Sequence, residues 1–292
     1  MSTRTRVELG VREDLGADCA SCFGLCCVAL AFARSADFPI DKAAGDPCLH
    51  LDDADGCRVH AELRPLGFKG CTVFDCFGAG QKVSRHTFGG RSWREDPETA
   101  TAMFGAFGIV RRLHELLWYV DRAIALAGSA GGAAGAEELV ACFERVRALS
   151  DLDPGGLAAV DVDAEYEAAR PLLIRASELA RAGHTPVRPA GRAGRLRADR
   201  LRPGSDLSGA GVAGADLTGL TLRGALLIGA DLSGARLVRC DLLGADLRDA
   251  DLSGADLGEA IFLTQMQVNS ARGDAATVLP PGFLRPAHWP TA

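Results

Sequence analysis

The chain has 292 residues, a formal net charge of −6 at pH 7 and 48% hydrophobic residues. This length predicts two or three modules with a sizeable core. The negative charge argues against general nucleic-acid binding, because such binding needs basic residues to neutralise phosphates. No segment is continuously apolar over the roughly 20 residues that span a bilayer, so we expect no membrane partner.

The apolar stretch 23–33 superficially resembles the core of a secretory signal. The segment before it carries Glu8, Glu13 and Asp14 beside its arginines, however, and so lacks the positive bias of a signal peptide. We therefore expect a cytoplasmic protein. In that compartment thiols stay reduced, and clustered cysteines favour metal binding over disulfides.

Eight of the ten cysteines lie within the first 76 residues. They are Cys19, Cys22, Cys26, Cys27, Cys48, Cys57, Cys71 and Cys76. Tetrahedral zinc takes about four ligands with thiolate sulfurs near 2.3 Å, so eight thiolates suffice for two closed zinc sites or for an iron–sulfur cluster with some left over. We predict metal ligation by these eight residues, with disulfides and buried core thiols as the alternatives.

The order of the cysteine motifs resembles a known family. The motifs are Cys19-x2-Cys22-x3-Cys26-Cys27, Asp46-Pro47-Cys48-Leu49, Gly56-Cys57-Arg58-Val59-His60, Arg64-Pro65 and Cys71-x2-Phe74-x-Cys76. Over about residues 15–80 they resemble the zinc- or iron-chelating domain family named for its clustered Cys-x-x-Cys and Cys-Cys pattern. The resemblance implies bound zinc or iron, an iron–sulfur cluster included, and implies little beyond metal binding.

Other residues near the cysteines have two possible roles each. His50 and His60 either replace a thiolate ligand or form hydrogen bonds around the site. A metal with four thiolates is a negative centre that cations or donors must neutralise when it is buried. Five basic residues lie near enough in sequence to do so, with ordinary solvation as the alternative: Arg58, Arg64, Lys69, Lys82 and Arg85.

The middle of the chain predicts three amphipathic helices. Asp96 and the proline after it are typical of a helix start, and apolar residues recur every three or four positions over residues 97–128. A second stripe covers residues 139–149, and a third covers residues 163–181 with a kink at Pro171. Three such helices predict a bundle. Cys142 falls on the second stripe and is predicted to be a core thiol.

Residues 183–204 are rich in arginine, proline and glycine and predict a linker. Its arginines are Arg188, Arg192, Arg195, Arg197, Arg200 and Arg202. They either bind phosphate or an acidic partner, or dock on the acidic module that follows. The second interpretation is favoured, because the two segments are tethered at high effective concentration.

A large apolar residue recurs at every fifth position from Leu207 to Phe262, over twelve units. Alanine usually stands two positions earlier. Residues five positions apart do not stay on one face of an α-helix, nor on one face of a flat strand. The chain must therefore turn between units. Stacked turns that point leucine and alanine inward form a solenoid, in which Cys240 takes an inward alanine position.

Units such as Asp206-Leu207-Ser208-Gly209-Ala210 strongly resemble the pentapeptide-repeat family, over about residues 205–265. The resemblance implies a right-handed quadrilateral β-helix with four pentads per coil. Three coils make a rod on the order of 14 Å tall. An end cap is predicted over residues 264–272.

Some pentapeptide-repeat proteins resemble duplex DNA and protect a type II topoisomerase. Seven aspartates are predicted to face outward and could supply the negative charge that such mimicry needs: Asp206, Asp216, Asp231, Asp241, Asp246, Asp251 and Asp256. DNA carries one charge about every 1.7 Å, so a rod of about 14 Å imitates only about eight phosphates. The rod's length therefore weighs against DNA mimicry.

These observations predict a multidomain α+β protein. Its parts are a loop-rich cysteine metal-binding module over residues 1–95, a helical bundle over 96–182, a linker over 183–204, a β-helix with its cap over 205–272 and a tail over 273–292. We expect a non-catalytic metal-binding protein whose repeat contacts an unidentified protein partner. The alternatives are a DNA-mimicking regulator of DNA gyrase or topoisomerase, and an iron–sulfur or metal-dependent redox enzyme. No nucleotide loop or paired nucleophile and base supports an enzyme.

Overall fold

The computed structural model describes residues 15–95, 97–129, 133–184 and 200–290. The chain forms two compact units, Met1–Ala125 with Gly132–Leu173 and Leu126–Gly131 with Ile174–Ala292. Asp96 and most of the predicted arginine-rich linker lie outside the described residues. Each unit is described by itself below.

The N-terminal part of the first unit consists of short elements joined by loops. Its α-helices are α1 (Leu25–Val28), α2 (Lys69–Val73) and α3 (Ala79–Gln81), and a π-helical turn Lys82–Thr87 follows α3. Single turns of 3-10 helix cover Cys19–Ser21 and His60–Glu62. Isolated antiparallel bridges pair Phe32 with Lys42 and Leu51 with Cys57. With so little regular structure, this part depends on its loops to position side chains.

Longer helices follow. They are α4 (Pro97–Ser129), α5 (Ala133–Ser150), α6 (Pro154–Ala158) and α7 (Val162–Arg181). The predicted stripes bury their apolar residues, including Phe107 and Leu113 on α4 and Phe143 on α5. In the first unit, α7 contacts α4 through Tyr166, whose hydroxyl donates to the carbonyl of Arg112 at 3.0 Å.

Two details of the predicted helices need correction. The helix α6 was not predicted, and it begins where the Asp153 side chain accepts a hydrogen bond from the Gly156 amide at 2.7 Å. Leu179 falls within the third predicted apolar stripe, residues 163–181, but it is 42% exposed. Smaller residues, Ala176 and Ala180, form the buried face of the last turns of α7 instead.

The second unit contains the five-residue repeat as a coil. All twelve predicted large apolar residues are buried, from Leu207 at 1% to Phe262 at 2% exposure. Parallel bridges join residues twenty positions apart, such as Asp206 with Leu226 and Leu226 with Asp246. Each coil therefore takes four pentads. Cys240 is fully buried in the inward position that the repeat predicted.

Each pentad of the coil ends in a tight turn. Glycine supplies the left-handed backbone at most of these turns, for instance Gly229 with a φ of 62°. Aspartate side chains stabilise the turns, because the carboxylate accepts a hydrogen bond from the backbone amide two residues later. The Ser233 amide, for example, donates to the Asp231 carboxylate at 3.1 Å. A turn at every fifth residue leaves room for one bridging residue per pentad.

The β-structure of the described residues is limited to these isolated bridges, and their regular secondary structure is otherwise helical. The β part of the predicted α+β class was a quadrilateral β-helix. In the described part of the chain it is present only as a coil with isolated bridges, because the repeat turns too often for a strand to extend. No helix in the same residues combines the length and the apolar character that crossing a membrane requires.

A cap closes the C-terminal end of the coil. It contains the helix α8 (Gln265–Ser270), which begins with a capping box formed by Thr264 and Gln267. The Gln267 amide also donates to the carbonyls of Leu242 and Ala245 at 2.8 Å each. Trp289 packs into the same core and donates its ring N–H to the Ala271 carbonyl at 3.0 Å.

Candidate metal centre

The cysteines of the first unit surround one cavity of about 500 Å³. Seven of the eight predicted ligands line it: Cys19, Cys22, Cys26, Cys27, Cys48, Cys57 and Cys71. His50 and His60, the two predicted alternative ligands, line it as well. The fold thus brings together thiols from four separate stretches of the sequence.

Short backbone contacts bring these stretches together. Gly24 opens α1 with a φ of 66° and lies so close to Leu51 that an added Cβ would be 2.6 Å from its Cδ1 atom. The amide of Cys48 donates to the carbonyl of Cys27 at 2.9 Å. The bridge of Leu51 with Cys57 then returns the chain to the cavity.

Cys76 is buried beside the cavity rather than on its wall. An added Cβ at Gly80 would lie 2.7 Å from the Cys22 sulfur and 3.8 Å from the Cys76 sulfur, so both sulfurs approach this glycine. Burial raises the pKa of Cys22 to about 11 and that of Cys76 to about 12. Without a metal, these two thiols are therefore protonated at neutral pH.

The thiols line a common space without meeting at one point. The sulfurs of Cys26 and Cys27 are 3.9 Å apart. No three cysteine, histidine, aspartate or glutamate side chains of the described residues are close enough to hold a metal ion. Thiolate and imidazole are donor types that zinc and iron take, and a metal held here would need the sulfurs to lie closer together than they do.

None of the ten cysteines, all within the described residues, is in a disulfide. Cys142 and Cys240 are 2% and 0% exposed and lie in the cores of the helical segment and the coil. Both were predicted to be core thiols. The structure thus separates these two residues from the eight that were predicted to bind metal.

A buried lysine that was not predicted lies beside the cysteine loops. Lys42 is 8% exposed, and its ammonium group donates to the carbonyls of Val28, Ala43 and Asp46 at 3.1, 2.9 and 2.7 Å. Burial lowers the pKa of Lys42, and the thiols of Cys48 and Cys27 are among the groups that oppose this shift. Lys42 therefore places a positive charge beside the cysteines, which is the role predicted for five other basic residues. One hint of this was visible in the sequence, because Lys42 is one of only three lysines in the chain.

The five basic residues predicted for that role are not among the residues described as lining the cavity. Arg58 donates to the Leu49 carbonyl at 2.8 Å, and Arg85 donates to the Ser21 carbonyl at 3.2 Å. Lys69 pairs with Asp37 at 3.7 Å, while Lys82 pairs with Asp151. These side chains hold loops and helices together around the site.

The aspartates of the coil are spread over all four ladders of bridges. Asp206 and Asp246 share one ladder, in which Leu226 separates them. The other ladders hold Asp231 with Asp251, Asp216 with Asp256, and Asp241. No ladder of the described coil therefore carries a continuous row of carboxylates.

The prediction that Asp241 faces outward is wrong. This residue is fully buried. Its carboxylate accepts hydrogen bonds from the Ser177 hydroxyl at 2.6 Å and from the Arg223 guanidinium at 2.7 Å. The five-residue pattern could not show that α7 supplies a partner to this position.

The repeats and the coil define the class of protein. A family model for pentapeptide repeats matches residues 205–242 and 225–262, with 8 copies. The uncharacterized protein YybG of Bacillus subtilis (strain 168) is 51% identical over 290 residues, which cover 99% of this chain and 100% of YybG. The chain therefore belongs to the pentapeptide-repeat proteins, in the family that includes YybG.

Two solved structures also match part of the chain. A pentapeptide repeat protein from the Arabidopsis thaliana thylakoid lumen is 30% identical over 38% of this chain and 66% of its own, with a TM-score of 0.23. HetL, a pentapeptide repeat protein involved in heterocyst differentiation regulation from the cyanobacterium Nostoc, is 31% identical over 28% of this chain and 37% of its own, with a TM-score of 0.17.

Proposed function

We propose that this protein binds zinc or iron through the cysteines of the N-terminal cavity and uses its coil as a non-catalytic surface for a protein partner. One observation carries the metal proposal: seven cysteines from separate loops line a single cavity. Thiols that only fill a core have no reason to converge on one cavity. Cys142 and Cys240 are such core thiols, and each is buried without lining the cavity.

Metal binding would also account for the fold around the cavity. Residues 15–95 contain only short helices and isolated bridges, so they have few regular backbone contacts to order them. In such segments, the free energy of metal binding contributes directly to folding. All eight cysteines, with Cys76 beside the Cys22 sulfur, belong to the proposed ligand set.

The coil supports the second half of the proposal. It is a stack of pentads with a buried leucine core and a cap, and we propose that it is the right-handed quadrilateral β-helix of its family. Repeat coils of this kind present extended surfaces and commonly act in recognition. The partner proposed here is a protein.

DNA mimicry receives no support from the placement of the aspartates. Each described ladder holds at most two of the seven aspartates, and Asp241 is buried. Arginines also neutralise some of the carboxylates, as Arg248 does for Asp246 at 2.7 Å. A duplex presents unbroken rows of phosphates, which this pattern does not imitate.

The experiment is anaerobic purification of the whole chain followed by elemental analysis and absorption spectroscopy. We expect at least one zinc or iron per chain, and absorption near 400 nm only if iron is bound as a cluster. A Cys22→Ala variant should lose metal, while Cys240→Ala should retain it, because Cys240 occupies an alanine position of the repeat. Equal metal content in the two variants, or no metal in the wild type, contradicts the proposal.

A further inference from the structure

The cavity that the cysteines line is larger than one closed metal site requires. A structural zinc is enclosed by its ligands at about 2.3 Å, so four thiolates leave little space around the ion. The cavity measures about 500 Å³, within the range of roughly 300–1,000 Å³ that is typical of small-molecule sites. Its size points to an organic ligand in addition to a metal.

A connected group of aromatic rings forms part of the wall. Phe32 and Phe38 stack with their ring centroids 4.3 Å apart and an interplanar angle of 9°. Phe68 meets Phe32 edge-on at 6.4 Å and His50 edge-on at 5.2 Å. All four rings line the cavity. The rings therefore form an aromatic section of the wall, against which an aromatic guest could pack.

The charges at the cavity select against an ionic ligand. Among the residues described as lining it there is no lysine or arginine. Its carboxylate, that of Asp55, is paired with the Arg94 guanidinium at 3.0 Å. Lys42, whose ammonium lies 5.6 Å from the Phe32 ring centroid, already donates to three backbone carbonyls. An anion would therefore have to compete with these carbonyls for a cationic partner, and burying it would be costly. A neutral guest avoids this cost.

We propose that the cavity binds a neutral aromatic small molecule against the ring cluster of Phe32, Phe38, Phe68 and His50. This inference goes beyond the proposed metal binding and does not require it, because the ring cluster lies in the protein whether or not the thiols hold a metal. The proposed ligand class is an uncharged compound with one or two fused or linked aromatic rings.

Two probes with the same aromatic body test the charge preference. N-phenyl-1-naphthylamine is neutral, and 8-anilino-1-naphthalenesulfonate adds one sulfonate to the same rings. We expect saturable fluorescence enhancement with the neutral probe and binding at least about tenfold weaker with the sulfonate, because the wall offers it no cation. Equal affinity for the two probes would overturn the proposal.

A matched pair of variants tests the location. Ala31 is exposed and lines the cavity, so Ala31→Trp should obstruct the opening and weaken binding of the neutral probe at least about tenfold. Ala33 is also exposed but does not line the cavity, and Ala33→Trp should bind like the wild type. Unchanged binding in Ala31→Trp would overturn the location.

Elemental analysis of the same protein samples separates the two claims: metal without probe binding refutes only the ligand site, and probe binding without metal refutes only the metal site.

Discussion

The carboxylate of Asp241 accepts a hydrogen bond from the hydroxyl of Ser177 at 2.6 Å, and both residues are buried. The same carboxylate pairs with Arg223 at 2.7 Å, and Arg181 donates to the Ser177 hydroxyl at 3.1 Å. One aspartate of the repeat therefore joins the last turns of α7 to the coil within the second unit.

Asp241→Asn should destabilise the second unit. The amide still supports the local turn but no longer balances the partly buried Arg223 guanidinium. We expect a loss of about 2–3 kcal/mol in the free energy of unfolding, measured by urea denaturation followed by circular dichroism. Asp251→Asn is the matched control, because the carboxylate of that half-buried residue accepts the Ser253 amide hydrogen at 3.0 Å in the same turn contact, and it should cost less than about 1 kcal/mol. Equal losses would refute this role of Asp241.

Lys42→Met should destabilise the cysteine module. The change removes three hydrogen bonds from a buried ammonium group to backbone carbonyls, and we expect a loss of about 2–4 kcal/mol. Lys82→Met is the control, since Lys82 pairs with the half-exposed Asp151 at the surface and should cost at most about 1 kcal/mol. Thermal unfolding of the metal-loaded proteins measures both. Unchanged stability of the Lys42→Met variant would contradict a stabilising role of this cation at the three carbonyls.

Gly80→Ala should disturb the proposed metal site. The added methyl group would lie 2.7 Å from the Cys22 sulfur, which must then move. We expect at least a tenfold weaker metal affinity in competition with a chromophoric chelator, about 1.4 kcal/mol. Gly108→Ala has open space around the new methyl group on α4 and should instead raise stability by about 0.5–1 kcal/mol without changing affinity. Unaltered affinity in Gly80→Ala would contradict the placement of Cys22.

Glu115→Gln tests a partly buried carboxyl group on α4. Burial raises the pKa of Glu115, and the nearby Arg111 only partly opposes this shift. A raised pKa means that the protonated form stabilises the fold, and this stabilisation is lost as pH rises through the folded-state pKa. The variant imitates the protonated form, so its stability relative to wild type should grow as pH rises from about 4 to 7. Urea unfolding over this range gives the difference, and a constant or falling difference would contradict the pKa shift.

The repeat made much of the second unit predictable from sequence. A period of five fixes which residues face inward, so Leu207 and Cys240 could be placed without coordinates. The period does not show what packs on the outside of a coil. The contact of Asp241 with Ser177 depends on α7, which is far away in sequence, and no local pattern encodes it.

The candidate site was predictable in its residues but not in its arrangement. Cysteine spacing identified the thiols that line the cavity, because residue type and order are enough to indicate soft-metal chemistry. The aromatic cluster was not predicted, since Phe38 and Phe68 reach Phe32 through loops without a regular period. Lys42 was also missed, because its role depends on three carbonyls that only the folded loop brings together.

X-ray absorption at the zinc or iron K-edge tests the central claim most directly. The experiment uses the whole chain purified anaerobically with its metal. We predict a first shell dominated by sulfur at about 2.3 Å, as expected for thiolates from the cavity. A first shell of only nitrogen and oxygen, or no bound metal to measure, would contradict metal binding by the cysteines.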